Sequence, residues 1–247
     1  LGELLSWRPQ DIPEAEIMRF LEGLPRRYLQ LFPREAIYRH VRLARDIGAD
    51  EVHVSLEQND TIWSLSVVTL DKPFLFSNIC GVLSSFGMNI LRGQALTNPN
   101  GLVLDVFQFT DDERFLALNV DAHVQVLQLL RDVVSSRADV TALLRGREQG
   151  VLHAKGAPRV APVVRADNEA SERYTIVDIV AANALGLLYR ISRVISRHGC
   201  SVELVLISTE GERAIDVFHI TKAGIKLTEA EQRALTSDLQ STLEGTV

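Results

Sequence analysis

Between Leu75 and Phe86 the apolar residues fall at Leu75, Phe76, Ile79, Val82, Leu83 and Phe86, the spacing of one face of a helix. Gly87 follows, where a helix commonly ends in a left-handed residue. Two runs of strand character come next, Met88–Thr97 and Leu102–Phe109, joined by the hairpin-turn tetrapeptide Asn98-Pro99-Asn100-Gly101. The same order returns 112 residues further on, with Leu187, Leu188, Ile191, Val194, Ile195 and His198 at the helical positions. Gly199 takes the place of Gly87, Val202 that of Ile90 and Thr209 that of Thr97. After a turn one residue shorter, Asp105-Val106-Phe107 reappears as Asp216-Val217-Phe218. A repeat of about a hundred residues marks a duplicated domain; solenoid periods are far shorter.

The flanking pattern extends each copy. In the first, 51–57 alternates Val52, Val54 and Leu56 with polar residues, Glu57–Thr61 carries turn chemistry, and Trp63–Leu70 predicts a second strand. Asp71-Lys72-Pro73 then feeds a helix expected from Phe74, because proline suits a first helical turn and no later one. A second helix is expected from Asn119 or Asp121 through Val134, another over Val140–Gln149, and a linker over Gly156–Pro162. The second copy opens with strands at Arg159–Arg165 and Tyr174–Ala181 around a polar turn, and its last helix starts at the capping box Thr228-x-x-Glu231. Residues 1–50 do not repeat. They predict proline-broken helices over Glu14–Leu24, a short segment at RRYLQLF and Arg34–Ile47 stopped by Gly48, a spacer or docking element. Tyr28, Phe32, Tyr38 and His40 read as packing within it.

Strand–helix–strand–strand–helix is five-sixths of a ferredoxin-like βαββαβ unit, and the strand preceding each copy can occupy the edge left by the missing sixth. The expected class is α+β: two ferredoxin-like units, circularly permuted as ββαββα, over 51–150 and 157–247 after the helical segment 1–50. The alternative gives 159–165 to the first unit as its final strand. Pairing of 159–165 with Tyr174–Val180 or with Trp63–Thr69 decides between them.

Bulk properties narrow the function. Hydrophobic residues make up 46% of the 247 and charged ones 23%, ordinary for a chain with real cores. A net charge of −6 argues against nucleic-acid and anionic-membrane partners. No apolar run approaches the roughly 20 residues that span a bilayer, and a cytoplasmic location is expected. Cys80 and Cys200 read as reduced core thiols. The six histidines show no metal spacing and no nucleotide-binding or nucleophile motif appears, so neither catalysis nor a cofactor nor a metal is expected.

Chemistry is expected where each strand turns into its helix, because a helix N-terminus offers unpaired N–H groups and partial positive charge to a carboxylate. Residues 72–76 and 184–188 hold those donors, and Asn78, one turn on, suits an amino or amide group. Asp105 and Asp216 sit mid-strand in apolar runs, Asp105 sharing a face with Val103 and Phe107. A carboxylate there needs a partner: a neighbouring-strand or inter-domain hydrogen bond, or a ligand amine.

Asp71-Lys72-Pro73, the amphipathic helix, Gly87-x-Asn89-Ile90, Thr97 and the LDVF strand resemble an ACT domain. The second copy, with Gly186-Leu187-Leu188-Tyr189, Ser208-Thr209 and Asp216-Val217-Phe218, resembles one more closely. Together with LPRRYLQLFPREAIYRHVRLA, residues 20–247 are similar to the C-terminal region of bifunctional protein-PII uridylyltransferase/uridylyl-removing enzymes. That resemblance implies an amino-acid effector, glutamine first, held between the turn of one domain and the next strand of its partner. The candidate residues are then Asp71, Pro73, Phe74, Leu75, Phe76 and Asn78 facing Ser201 and Val202, and Asn183, Gly186, Leu187 and Leu188 facing Asn89 and Ile90. It also implies ACT–ACT pairing, within the chain or in a homodimer, and a catalytic domain or PII protein as partner. The turns depart from the family's Asp-x-Pro-Gly: Phe74 replaces the glycine in the first, and Asn183-Ala184-Leu185-Gly186 keeps only the glycine. The metal-binding motifs of the enzyme's catalytic parts are absent. Three readings stand: an amino-acid sensor in nitrogen-assimilation control, the C-terminal part of a uridylyltransferase, and an ACT pairing module without a ligand.

Overall fold

The computed structural model describes residues 1–148, 160–210 and 212–245. Four short helices, α1 (Gly2–Ser6), α2 (Glu14–Leu21), α3 (Tyr28–Leu31) and α4 (Arg34–Leu43), precede the first strand. The first unit follows as β1 (His53–Asn59), β2 (Ile62–Leu70), α5 (Leu75–Ser85), β3 (Asn89–Thr97) and β4 (Leu102–Thr110). It closes with α6 (Phe115–Leu118), α7 (Ala122–Val134) and α8 (Val140–Glu148). The second unit runs β5 (Val163–Asp167), β6 (Thr175–Ala182), α9 (Leu187–Arg197), β7 (Cys200–Glu210), β8 (Arg213–Lys222) and α10 (Glu229–Glu244).

The eight strands form one antiparallel sheet ordered β1-β2-β4-β3-β7-β8-β6-β5. Each half has the ferredoxin-like order with the permuted strand at the outer edge, and β5 pairs with β6, Val163 opposite Val180, so it belongs with the second half. The halves join through β3 and β7 at Arg92–Leu206, Gly93–Val205 and Gln94–Leu204. These pairs are symmetric under the 112-residue repeat, and a register shift falls at equivalent places, between Ile90 and Arg92 and between Val202 and Leu204. The pseudo-twofold axis therefore passes between Gly93 and Val205. A Cβ on Gly93 would stand 2.8 Å from Phe76 and 3.0 Å from Val205, so the larger side chain at one of the two positions requires glycine at the other.

One face of the sheet carries α5, α7, α9 and α10 over a continuous core that includes Leu65, Phe107, Phe109, Val177, Val205 and Phe218. The opposite face of the first half is covered by the N-terminal helices: Ile17, Phe20, Tyr28, Ile37 and Val41 pack with Val68, Leu96, Leu104 and Val106. Tyr28, His40 and Phe32 are core groups, as their pattern implied. The Tyr28 hydroxyl is 2.8 Å from His40 Nδ1, and His40 Nε2 is 3.2 Å from Ser66 Oγ on β2. Burial drives the His40 pKa down to about 3, so it packs as a neutral hydrogen-bonded ring. Segment 1–50 is thus a docked layer of the first unit, joined to the second by an ion pair at 3.1 Å from Arg27 to Glu203 and by the stacking of Arg27 on Tyr174.

Several boundaries differ from the pattern. Glu57–Asn59 remain strand, because the hairpin turns in two residues, Asp60 and Thr61, with Asp60 left-handed at φ 57°. α4 stops at Leu43, before Gly48. The strand expected at 159–165 lies at Val163–Asp167; Arg159, Gln149 and most of the expected linker fall outside the described residues. α1 and α6 carried no periodic signal at five and four residues. The Thr228–Glu231 capping box is present. Cys80 and Cys200 are buried free thiols.

Candidate functional site

The two strand-to-helix turns are built alike. The Asp71 N–H donates to the Gly101 carbonyl and the Asn183 N–H to the Glu212 carbonyl, both at 2.8 Å, pinning each turn to the hairpin beside it. The residue before each helix is left-handed: Phe74 with φ 62° and Gly186 with φ 71°. Phe74 is therefore a cap rather than the first helical residue. A left-handed L-residue costs about 1–2 kcal/mol that glycine does not. Neither helix has a side-chain cap. In the second turn Leu187 N–H reaches the Ala184 carbonyl at 3.1 Å, while the Leu188 and Tyr189 amides have no backbone acceptor among the described residues. These amides form the positive pole expected of a helix start.

What lies opposite differs. The second turn faces the start of β3 across the join between the units, enclosing a cavity of about 490 Å³. Asn183, Gly186, Leu187 and Leu188 line it from one unit and Asn89 and Ile90 from the other. The candidate residues of that turn and its facing strand are thus in one place. Thr209, Ile207 and Asp216 also line it, as do Asp112 and Glu113. Sequence reasoning missed those last two. They follow β4 in a loop whose length carries no periodic signal, and only the fold brings them to the second unit's turn.

The first turn looks elsewhere. Pro73, Phe74, Leu75 and Asn78 line a cavity of about 420 Å³ against the α7–α8 loop and α9, with Ser136, Asp139, Tyr189 and Arg193. Ser201 and Val202 line neither cavity: Ser201 is exposed and Val202 is buried in the core of β7. Phe76 is buried against Phe107, ring centroids 4.9 Å apart, and Asp71 is exposed beside the β3–β4 hairpin. The expected juxtaposition of the first turn with Ser201 and Val202 is not formed as a cavity there. The repeat substitutes bulk at matching positions, Phe76 for Leu188, Val103 for Ala214 and Phe74 for Gly186. Asn78 corresponds to Arg190, whose Nη1 donates to the Leu185 carbonyl at 3.0 Å and so braces the second turn.

Asp105 and Asp216 both point to the helix-covered side, 1% and 2% exposed, and the Oδ1 atom of each has no hydrogen-bond partner among the described residues. Among the described residues, no neighbouring strand supplies either Oδ1 with the hydrogen bond that a buried carboxylate calls for. Burial pushes Asp216 up to about 7. Asp105 is raised well above the carboxylate range by burial first, then by the negative charges of Asp71 and Glu203.

The strand order, the doubled unit and the turn geometry are those of two ferredoxin-like units joined edge to edge. In keeping with that, residues 163–247 match the family described as ACR9-like, ACT-like domain. Across nearly its whole length the chain is similar to bifunctional uridylyltransferase/uridylyl-removing enzymes, whose C-terminal region it resembles. It is 27% identical to that of Rhodospirillum rubrum over 96% of this chain and 26% of the relative. It is 31% identical to that of Phenylobacterium zucineum over 87% and 23%, and 29% identical to that of Gluconobacter oxydans over 88% and 24%. The chain thus spans about a quarter of the length of these curated relatives. Among solved structures, the aspartate kinase of Synechocystis aligns with 85% of this chain and 32% of its own at 13% identity and a TM-score of 0.39, a distant likeness. No helix among the described residues is long and apolar enough to cross a membrane.

Proposed function

We propose that this chain is an amino-acid-responsive regulatory module, with glutamine as effector, that governs a uridylyl-transferring and uridylyl-removing catalytic region in nitrogen-assimilation control and has no catalytic role of its own. Segments 51–150 and 157–247 act in this reading as the two ACT domains and 1–50 as the layer that carries their state outward. The observation that carries it is the 490 Å³ cavity bounded by both units, within the usual range for small-molecule sites. The free amides at the start of α9 suit an α-carboxylate, and Asn89, Asn183 and Thr209 offer partners for a side-chain amide.

Regulation follows from where the cavity lies. A ligand touching Asn89–Ile90 on one side and Gly186–Leu188 on the other adds to the contacts the units already make at this seam, through β3 with β7 and α5 with α9. A ligand that bridges the units favours the arrangement in which they are closed on each other. The Arg27–Glu203 contact gives the N-terminal layer a hold on the same seam, since Glu203 lies in the register shift of β7. Titration calorimetry and thermal melts with glutamine and a panel of amino acids test the reading. Saturable heat and a rise in melting temperature with glutamine are expected. No heat and no shift at millimolar ligand identify a pairing module without an effector.

A further inference from the structure

The cavity contains one group whose state is unexplained without a ligand. Asp216 is 2% exposed, lines the cavity, and leaves Oδ1 without a hydrogen-bond partner among the described residues. An unpaired carboxylate in an apolar sheet is costly, and its neighbours across the strands, Ile179 and Ile207, offer no side-chain donor. The same cavity is lined by the start of α9, where the Leu188 amide has no backbone acceptor among the described residues. One cavity thus presents a donor for an anion and a buried acceptor for a cation, the complement of a zwitterion. The cavity wall adds Asp112, and among the described residues that line it there is no lysine, arginine or histidine.

We propose that the Asp216 carboxylate anchors the α-ammonium group of the bound amino acid, and that the acidic wall admits neutral or cationic side chains and rejects acidic ones. The proposal rests on the amino-acid-binding reading and adds to it the residue that sets charge selectivity. Asp105, the equivalent carboxylate of the first unit, has no such role: it is as deeply buried but lines no part of this cavity.

Binding is then coupled to a proton. Without ligand Asp216 titrates at about 7. The titratable groups that face it are Asp112 and Glu113 in the cavity lining and the Cys80 thiol on α5, whose pKa burial raises. An ammonium ion binds the ionised carboxylate, while a free amino acid keeps its ammonium from pH 6 to 8. Affinity therefore rises about tenfold between those values, the ratio of ionised fractions, with proton release on binding at the lower pH.

The test is titration calorimetry of the full chain with glutamine and with glutamate at pH 6 and pH 8, in two buffers of different ionisation enthalpy. Wild type, Asp216→Asn and Asp105→Asn are compared, with thermal melts to confirm folding. Glutamine is expected to bind wild type and Asp105→Asn alike, about tenfold tighter at pH 8, and to bind Asp216→Asn at least tenfold more weakly with no pH dependence. Glutamate is expected to bind wild type at least tenfold more weakly than glutamine. Equal affinity of Asp216→Asn and wild type, a flat wild-type pH profile, or glutamate binding as tightly as glutamine overturns this inference while leaving the sensing reading intact. Absence of heat with every amino acid overturns both.

Discussion

The turns at Asp71–Phe76 and Asn183–Leu188 descend from one design, and their differences separate what a fold needs from what a site needs. Both are tied to the adjacent hairpin by one amide–carbonyl bond of 2.8 Å, and both enter the helix through a left-handed residue. The second keeps glycine there and borders an open cavity at the join between the units; the first holds a phenylalanine in a backbone conformation that disfavours it. Fold is preserved in both because the helix stripe and the central strand still bury the same positions. The second turn borders a cavity lined by a strand of the other unit, and the first borders one lined by α9 instead.

The largest effect expected from breaking this comparison concerns the two buried carboxylates. A carboxylate whose pKa is raised on folding binds more protons in the native state, so stability falls as pH rises from the unfolded value near 4 to the folded value near 7 for Asp216. Asp216→Asn removes that fall. Without ligand, the variant should be more stable than wild type at pH 8 by roughly 2–4 kcal/mol and indistinguishable near pH 4. Denaturant melts across that range check it, and a wild-type stability that is flat between pH 4 and 8 contradicts it.

The pseudo-twofold seam offers the next. Gly93→Val places the side chain of Val205 on both sides of the axis, against Phe76 at 2.8 Å, and should cost about 1–3 kcal/mol by overpacking. It should also loosen the cavity whose two walls meet there, weakening glutamine binding along with stability. Urea titration reads the first effect and calorimetry the second.

The turns themselves answer with opposite signs. Gly186→Ala imposes a left-handed alanine and should destabilise by about 1–2 kcal/mol. Phe74→Gly relieves the same strain at the equivalent place and, after the entropy cost of the new glycine, should change stability by less than about 1 kcal/mol, in the favourable direction. Equal losses from the two variants would show that the turns are not strained differently.

Much of this architecture was legible in the chain. The repeated stripe Leu75–Phe86 and Leu187–His198 and the shared Asp-Val-Phe strand locate the two helices and central strands, because apolar spacing follows burial directly. The edge strand of the second unit was placed early, since Arg159–Pro162 look as extended as Val163–Asp167 when strand partners are unknown. The role of 1–50 was only half visible: amphipathic helices announce a buried face, and which face they cover depends on tertiary packing. The site divided in the same way. Turn residues could be named from helix-start chemistry, whereas Asp112 and Glu113 could not, because a loop carries no period and their position comes from the joining of β3 to β7. Nor could the pattern show that the first turn opens toward Tyr189 and Arg193 instead of Ser201 and Val202.

A crystal structure of the chain with glutamine tests the central claim most directly. The account predicts one ligand per chain between Gly186–Leu188 and Asn89–Ile90, its carboxylate on the amides of α9 and its ammonium within hydrogen-bonding distance of Asp216. Glutamine seated at the Phe74 turn, or bound with its ammonium away from Asp216, would contradict it.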